Sequence, residues 1–499
     1  MRFAQIHSKL IPDKLLHSPE KTYPISSFEQ ISTAQQTNPN YIYNQELQQQ
    51  LAGKQLLPDD LTISIEEIQE HFENGYLIYR KGIHLEKNKP ICIRCGNKDL
   101  HFFGRFPCAR CGEDCLYCRK CIMMGRVSAC TPLISWTGPD QQLESTSLQL
   151  SWAGSLSDGQ QTASKRVVQA INENKEQLVW AVCGAGKTEV LFEGIDAAIT
   201  AGKRVCLATP RTDVVLELTP RLKKVFPNIQ VASLYGGSED RHLNAPLTIT
   251  TTHQLLRFYQ AFDTVILDEV DAFPYSVDES LQYAVRQSRK TLSSMIYLTA
   301  TPNEKWQAEC IKGKREYVTI PARYHRHPLP VPSFQWCGNW EKGLQKKRLP
   351  RNIIQWINKR LDAEKQCLLF IPKIDKMEKI LPLIRLLHPK IEAVHAEDPK
   401  RKGKVQAMRN KEIPLLLTTT ILERGVTFPN IDVAVLGAED RIFTESALVQ
   451  IAGRVGRSAA APGGEITFFH YGKTDAMIRA RKQILQMNEE ARKKGLIDY

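Results

Sequence analysis

Short apolar runs recur along this chain from about residue 148, each separated from the next by a stretch of helical periodicity. Leu178–Val182, Arg204–Ala208, Leu247–Thr250, Thr264–Leu267 and Met295–Leu298 form a first series. A proline-dense hinge follows, with Pro321, Pro328, Pro330 and Pro332. Cys367–Ile371, Leu415–Leu417, Val433–Leu436 and Ile466–His470 then form a second series. Strands that are apolar on both faces and alternate with helices predict parallel sheets covered by helices on both sides. Two such blocks, 148–325 and 333–475, predict a duplicated α/β core. The pattern closes with a basic amphipathic helix, Asp475–Lys494, placed as a separate C-terminal element over 476–499.

Upstream the pattern changes. Residues 1–60 are rich in Gln, Asn, Ser and Pro, which predicts a flexible or loosely packed arm. Within 61–85, Ile63, Ile65, Ile68 and Phe72 recur near helical spacing and Gly75 supplies a stop. Tyr76–Leu85 alternates as one or two short strands.

Composition adds a soluble globular class: 499 residues, 42% hydrophobic and 24% charged. Lys and Arg number 67 against 54 acidic residues, a net +13 that favours polyanionic partners. No apolar run approaches the ~18 residues a membrane span requires, and the N-terminus lacks the apolar stretch of a signal peptide. The expectation is a cytoplasmic protein without its own transmembrane segment.

Thirteen cysteines change the picture of the N-terminal third. Eight fall within 86–135, as Cys92-x2-Cys95, Cys108-x2-Cys111, Cys115-x2-Cys118-x2-Cys121 and Cys130. Clustered C-x2-C pairs outside an oxidising compartment point to thiolate ligation of tetrahedral zinc, here two ions. Spacing alone pairs Cys92/Cys95 with Cys108/Cys111. From Glu86 to Arg126 there are nine Lys/Arg and four Asp/Glu. Two Zn(Cys)4 centres, each about −2, cancel most of that excess, so Arg105, Arg110, Arg119 and Lys120 read as individually positioned cations.

The chemistry of the α/β blocks is carried by loops at strand ends. Ala181-Val182-Cys183-Gly184-Ala185-Gly186-Lys187-Thr188 joins a strand to a predicted helix, Glu189–Ala201. Gly184, Ala185 and Gly186 turn the backbone so that its N–H groups face phosphate oxygens. Lys187 reaches the β/γ-phosphates of ATP, and Thr188 holds Mg²⁺. Gln160, in Leu156-Ser157-Asp158-Gly159-Gln160, has the paired donor and acceptor that read an adenine edge. Asp268-Glu269-Val270-Asp271 ends a buried strand: Asp268 completes the Mg²⁺ shell and Glu269 polarises the attacking water. Thr299-Ala300-Thr301 ends the next strand. In Gln450-Ile451-Ala452-Gly453-Arg454-Val455-Gly456-Arg457, Arg454 and Arg457 project from one helical face toward developing phosphoryl charge. Arg211 in Thr209-Pro210-Arg211, Thr252 in Thr251-Thr252-His253, and Thr419 are placed to contact nucleic-acid phosphates. Tyr275, in Phe273-Pro274-Tyr275, is a candidate for base stacking.

This ordered set resembles superfamily 2 helicases of the DExD/H type. With Ala208–Leu218, Asp268–Tyr275, Thr418–Thr427 and the cysteine run ending Cys118-Arg119-Lys120-Cys121-Ile122-Met123-Met124-Gly125-Arg126, it is similar to the ComFA family of competence proteins. The resemblance covers roughly residues 60–490. It implies two RecA-like parallel-sheet lobes in tandem behind a Cys-rich module, and an ATPase stimulated by single-stranded DNA. It further implies work at the inner face of the cell membrane during natural transformation, with a membrane DNA channel and a phosphoribosyltransferase-like partner. A zinc site of Cys92, Cys95, Cys118 and Cys121 is also implied, with Cys108, Cys111, Cys115 and Cys130 left for a second. The partition of the eight cysteines stays open between this and spacing alone. So does the choice of a DNA translocase over an RNA helicase, a replication-restart helicase or a non-catalytic zinc-dependent scaffold.

Overall fold

The computed structural model describes residues 1–499 apart from 8, 19, 30, 32–34, 141–149, 421–427 and 499. The segment 421–427, which carries most of the Thr418–Thr427 motif, therefore lies outside the described residues. The chain forms two compact units. The first comprises Met1–Ala153, Val167–Gln177 and Phe192–Tyr297, and the second Gly154–Arg166, Leu178–Leu191 and Leu298–Tyr499.

Two sheets of RecA-like topology carry the fold. In the first, seven strands run in the order Val231–Leu234, Leu247–Thr251, Val205–Thr209, Phe262–Asp268, Arg289–Thr299, Glu176–Ala181 and Tyr317–Ile320. Val205–Thr209 pairs in parallel with both Leu247–Thr251 and Phe262–Asp268, with Val205 opposite Leu247 on one side and Thr264 on the other. Every residue of Val205–Thr209 is buried, as expected for a strand covered on both faces. The second sheet has six strands in the order Ser333–Trp336, Ile466–His470, Asp432–Leu436, Cys367–Phe370, Leu415–Thr418 and Glu392–Val394. Its core is apolar, with Leu369, Leu417, Ala434 and Phe469 together with Trp340 and Trp356. Helix Asp475–Lys493 buries Met477, Ala480, Ile484 and Met487 and belongs to the second unit rather than standing apart.

The first sixty residues differ from expectation. Phe3–Ile6 and Lys9–Pro12 form an antiparallel hairpin, and Gln45–Leu51 is a helix capped by the Asn44 side chain. Phe3, Leu10, Ile25, Leu47 and Leu51 are fully buried in one core with Ile68, Phe72, Leu77, Tyr79 and Ile134. The polar composition hid this because the few apolar residues are spread thinly and meet only through long-range packing.

That core also closes the cysteine module. Leu77–Lys81, which precedes it, pairs antiparallel with Pro132–Trp136, which follows it. Between them lie two hairpins, Ile83–Glu86 with Lys89–Cys92 and Phe103–Cys108 with Glu113–Cys118. The module docks on helix Glu279–Ser288: Tyr283 Oη and Gln287 Nε2 both donate to the Ile93 carbonyl, at 3.1 and 3.2 Å.

Candidate active site and cysteine clusters

The phosphate loop folds as its glycines require. Gly184 and Gly186 have φ of 81° and 69°, in the left-handed region that side chains resist. A Cβ on Gly186 would lie 2.4 Å from Gln160 Nε2, so only glycine fits there. Ala185 is buried, Gly184 is exposed, and Lys187 and Thr188 are half-buried at the exit of the loop. The helix beyond starts later than its apolar pattern suggests, as a tight turn Glu189–Leu191 leading into Phe192–Thr200.

Gln160 lies against the phosphate loop. Its Nε2 donates to the carbonyls of Ala185 (2.9 Å) and Gly186 (3.3 Å), and its Oε1 accepts from the Ser157 N–H at 2.8 Å. Donor and acceptor are thus both engaged with backbone, and the side chain sets the shape of the phosphate loop.

Within the second unit, the arginine segment lies against this loop. Helix Glu445–Ala452 ends at Gly453, whose missing side chain permits the approach: a Cβ there would lie 2.4 Å from Cys183 Cβ. The Cys183 thiol donates to Gln450 Oε1 at 3.0 Å. Arg454 is buried, and Arg457 folds back so that its Nε donates to the Gly453 carbonyl at 2.9 Å. Sequence reasoning missed Arg323, which ties these parts together. It donates to the carbonyls of Cys183 (Nε, 3.0 Å), Gly453 (Nη2, 3.1 Å), Val455 (Nη1, 2.7 Å) and Gly456 (Nη1, 2.5 Å). Burial, reinforced by Arg457, pulls Arg323 down to about 10, which leaves it charged at neutral pH. In the sequence it is one of two arginines in a proline-dense hinge that also holds His325 and His327, so spacing alone does not single it out.

Thr299-Ala300-Thr301 joins the same assembly. Ala300 O accepts from Trp180 Nε1 at 3.1 Å and from Gln483 Nε2 at 2.7 Å, while the Thr301 and Ser446 hydroxyls are 2.8 Å apart. These bonds join the Thr299-Ala300-Thr301 turn to Trp180 of the strand before the phosphate loop and to helices Glu445–Ala452 and Asp475–Lys493.

In the first unit, Asp268 closes strand Phe262–Asp268, and its Oδ1 accepts from the Glu269 N–H at 2.8 Å. Glu269 has φ of 55°, an uncommon conformation for a residue with a side chain, and one that costs roughly 1–3 kcal/mol where nothing compensates. The turn directs two successive carboxylates from one strand end.

The three expected phosphate contacts fare unequally. Arg211 begins helix Thr212–Val225 and makes a two-pronged bond to Asp213, Nε to Oδ1 at 3.1 Å and Nη2 to Oδ2 at 2.6 Å. Burial opposes the Asp213 charge, yet these bonds hold its carboxyl below the ordinary range. Thr252 is fully buried, its N–H bonds to the Thr209 carbonyl at 2.9 Å, and its hydroxyl meets no partner. The strand runs through Thr251, one residue further than expected, which turns Thr252 inward and leaves His253 exposed. Thr419 is half-buried just beyond strand Leu415–Thr418. Next to the acidic turn, Phe273 is the exposed aromatic, whereas burial pushes the Tyr275 phenol up.

The eight cysteines separate into two buried clusters, Cys92/Cys95/Cys118/Cys121 and Cys108/Cys111/Cys115/Cys130, with the four Sγ atoms of each within 4.8 Å of one another. The pairing from spacing alone is thereby set aside: the second C-x2-C pair lies on its own hairpin, and the chain returns to the first site afterwards. Cys92–Cys121, Cys95–Cys118 and Cys108–Cys130 are each separated by 3.7 Å. That is far beyond a disulfide and close to the ~3.8 Å edge of a tetrahedron with ~2.3 Å metal–sulfur bonds. Arg94, between the first two cysteines, is buried and donates to the Met124, Cys121 and Gly125 carbonyls. Among the described residues no carboxylate neutralises it, so the balancing charge must come from the thiolates beside it. Cys121 is held well below the usual thiol range by hydrogen bonds from Cys118, Cys92 and Cys95, and Arg94 adds to the effect. Both donor sets fit a tetrahedral metal ion.

The module's cations are largely spoken for. Arg110 bonds Asp59 through both carboxylate oxygens (2.9 and 2.7 Å), Lys120 lies 3.5 Å from Asp278, and Arg105 lies 3.8 Å from Asp114. The first two tie the module to the rest of the first unit.

Residues 34–135 match the competence protein ComFA N-terminal domain, 154–304 the type III restriction enzyme res subunit, and 347–459 the helicase conserved C-terminal domain. Competence protein ComFA of Bacillus subtilis is 48% identical over 454 residues, 91% of this chain and 97% of that protein. Competence protein ComFA of Streptococcus pneumoniae is 40% identical over 408 residues, 81% of this chain and 92% of that protein. ATP-dependent DNA helicase RecG of Streptococcus pneumoniae is 22% identical over 364 residues, 66% of this chain and 50% of that protein.

Proposed function

The chain belongs to the ComFA family of competence proteins and carries a superfamily 2 helicase-type ATPase core; from this we propose that it is an ATP-driven translocase of single-stranded DNA that powers DNA uptake in natural transformation. ATP is the substrate. Gly184, Ala185, Gly186 and Lys187 receive its phosphates, and Thr188 and Asp268 offer the hard oxygen ligands Mg²⁺ prefers. Glu269 takes the proton of the attacking water, and Arg454 and Arg457 oppose the charge that grows on the transferred phosphoryl group. Gln160 braces the loop from the side of the adenine it is expected to read.

The observation that supports this reading most is the set of bonds from Arg323 to the phosphate loop and to the arginine segment together. Such a link makes the occupancy of the loop felt by helix Glu445–Ala452, which is what coupling of hydrolysis to movement requires. The two cysteine clusters hold Zn²⁺, which closes the module and seats it on the first unit. Among the described residues no helix is long and apolar enough to cross a membrane. From its membership of the ComFA family we infer that the protein works at the inner face of the membrane, beside a DNA channel and other competence proteins.

ATP turnover with no nucleic acid, single-stranded DNA, duplex DNA and RNA tests the substrate. The greatest stimulation is expected from single-stranded DNA; greater stimulation by RNA overturns the assignment.

A further inference from the structure

A cavity of about 190 Å³ in the first unit is walled on one side by Gln50, Lys54, Leu56 and Asp60. Its other wall is Leu234, at the end of strand Val231–Leu234, with Arg241 and His242 from the segment after it and Gln254, Arg257 and Phe258 from the segment after strand Leu247–Thr251. Three of these side chains are Lys or Arg and one is a carboxylate, so the lining carries excess positive charge.

The walls are held rigidly. Lys54 forms a bridge with Phe258, Gln55 N–H donates to the Arg257 carbonyl at 2.7 Å, and Tyr259 N–H donates to the Gly53 carbonyl at 2.9 Å. Gly53, at φ 69°, lets the chain pass close to Ala261, where a Cβ would lie only 2.6 Å from Ala261 Cβ.

The cations are costly where they stand. Lys54 is 4% exposed, and its ammonium donates to the Arg241 carbonyl at 3.2 Å. Arg257 Nε is buried and meets no acceptor, and its nearest carboxylate oxygen, on Asp60, is 3.9 Å from Nη1. Burial, with Arg204 and Arg257 adding to it, pulls Lys54 down to about 8. Buried cations without full compensation are the signature of a site made for an anion.

The cavity also lies in the right place. Its loops leave the C-terminal ends of two strands, and the adjacent strand, Val205–Thr209, leads to Arg211. Neighbouring strands are about 4.8 Å apart, so Arg211 and the loop after Val231–Leu234 follow strand ends ~10 Å apart on one edge.

We propose that this cavity binds a backbone phosphate of the nucleic-acid strand, with Lys54, Arg241 and Arg257 as donors, so that the N-terminal domain and the first sheet grip the strand together. The inference rests on the reading of single-stranded DNA as substrate. It assigns to the segment around Lys54 a binding role separate from the cysteine clusters.

The test is oligo-dT affinity of the full-length wild type, Arg241→Gln, Arg257→Gln and Lys54→Gln, measured across a salt series. Arg241 is exposed, so its replacement leaves the fold intact. Each variant is expected to lose about tenfold in affinity, as for a charge-assisted bond, and to flatten the slope of log K against log salt by about 0.7. ATP turnover without nucleic acid should stay at the wild-type rate. Wild-type affinity and slope in all three variants overturn the site while leaving the proposed substrate intact. No oligo-dT binding by the wild type overturns the proposed substrate itself. A parallel melting series in inorganic phosphate separates a strand from a free anion. Stabilisation of the wild type but not of Arg241→Gln by phosphate, with oligo-dT affinity equal in the two, overturns the backbone assignment.

Discussion

The Arg323 guanidinium donates to the carbonyl of Cys183 in the phosphate loop at 3.0 Å, while its remaining nitrogens reach the turn that carries Arg454 and Arg457. One buried cation thus serves as the common anchor of two segments far apart in sequence.

Replacing Arg323 by Lys should therefore lower kcat by about tenfold or more while leaving the KM for ATP within a few-fold, because geometry is lost rather than a phosphate contact. A lysine cannot reproduce the four-way fork. Steady-state kinetics with a parallel melting curve separate this from unfolding. An unchanged kcat would remove Arg323 from the coupling.

Glu269→Gln should keep ATP affinity and lose turnover by at least ~10²-fold, since an amide cannot accept the proton. Lys187→Ala should weaken both affinity and turnover, and Arg457→Ala should mainly slow turnover. Nucleotide binding by fluorescence, read beside turnover, distinguishes the three. Normal hydrolysis by Glu269→Gln would place the base elsewhere.

Metal analysis of the purified protein should give two zinc ions per chain, and Cys→Ser at either cluster should remove one. Acidification should release the metal, because protons compete with it for the thiolates, and the loss should grow as pH falls. Hydrogen exchange after chelation should rise first in residues 86–135 and then in helix Glu279–Ser288, on which the module sits. One zinc per chain would leave Cys108, Cys111, Cys115 and Cys130 without a metal role.

The central strands of both sheets were legible in the sequence, because each is apolar on both faces. Val231–Leu234, Tyr317–Ile320, Ser333–Trp336 and Glu392–Val394 were not, and these are the four edge strands. Each is only three or four residues long and three of the four are partly exposed, so the pattern merges with loop. Lys187, Asp268, Glu269, Arg454 and Arg457 stand out as candidates through motif order, which records local chemistry. Arg323, Arg94 and Lys54 were missed because each acts through backbone carbonyls or burial, and neither leaves a trace in sequence spacing. The two cysteine sets interleave along the chain, so spacing alone could not assign them.

ATP hydrolysis is expected to drive movement along single-stranded DNA. Displacement of streptavidin from an oligonucleotide biotinylated at one end or the other measures it directly. With ATP the protein should clear one end much faster than the other, and Glu269→Gln should clear neither. Equal, slow release from both ends, in a preparation whose ATP turnover is stimulated by the same oligonucleotide, would contradict translocation.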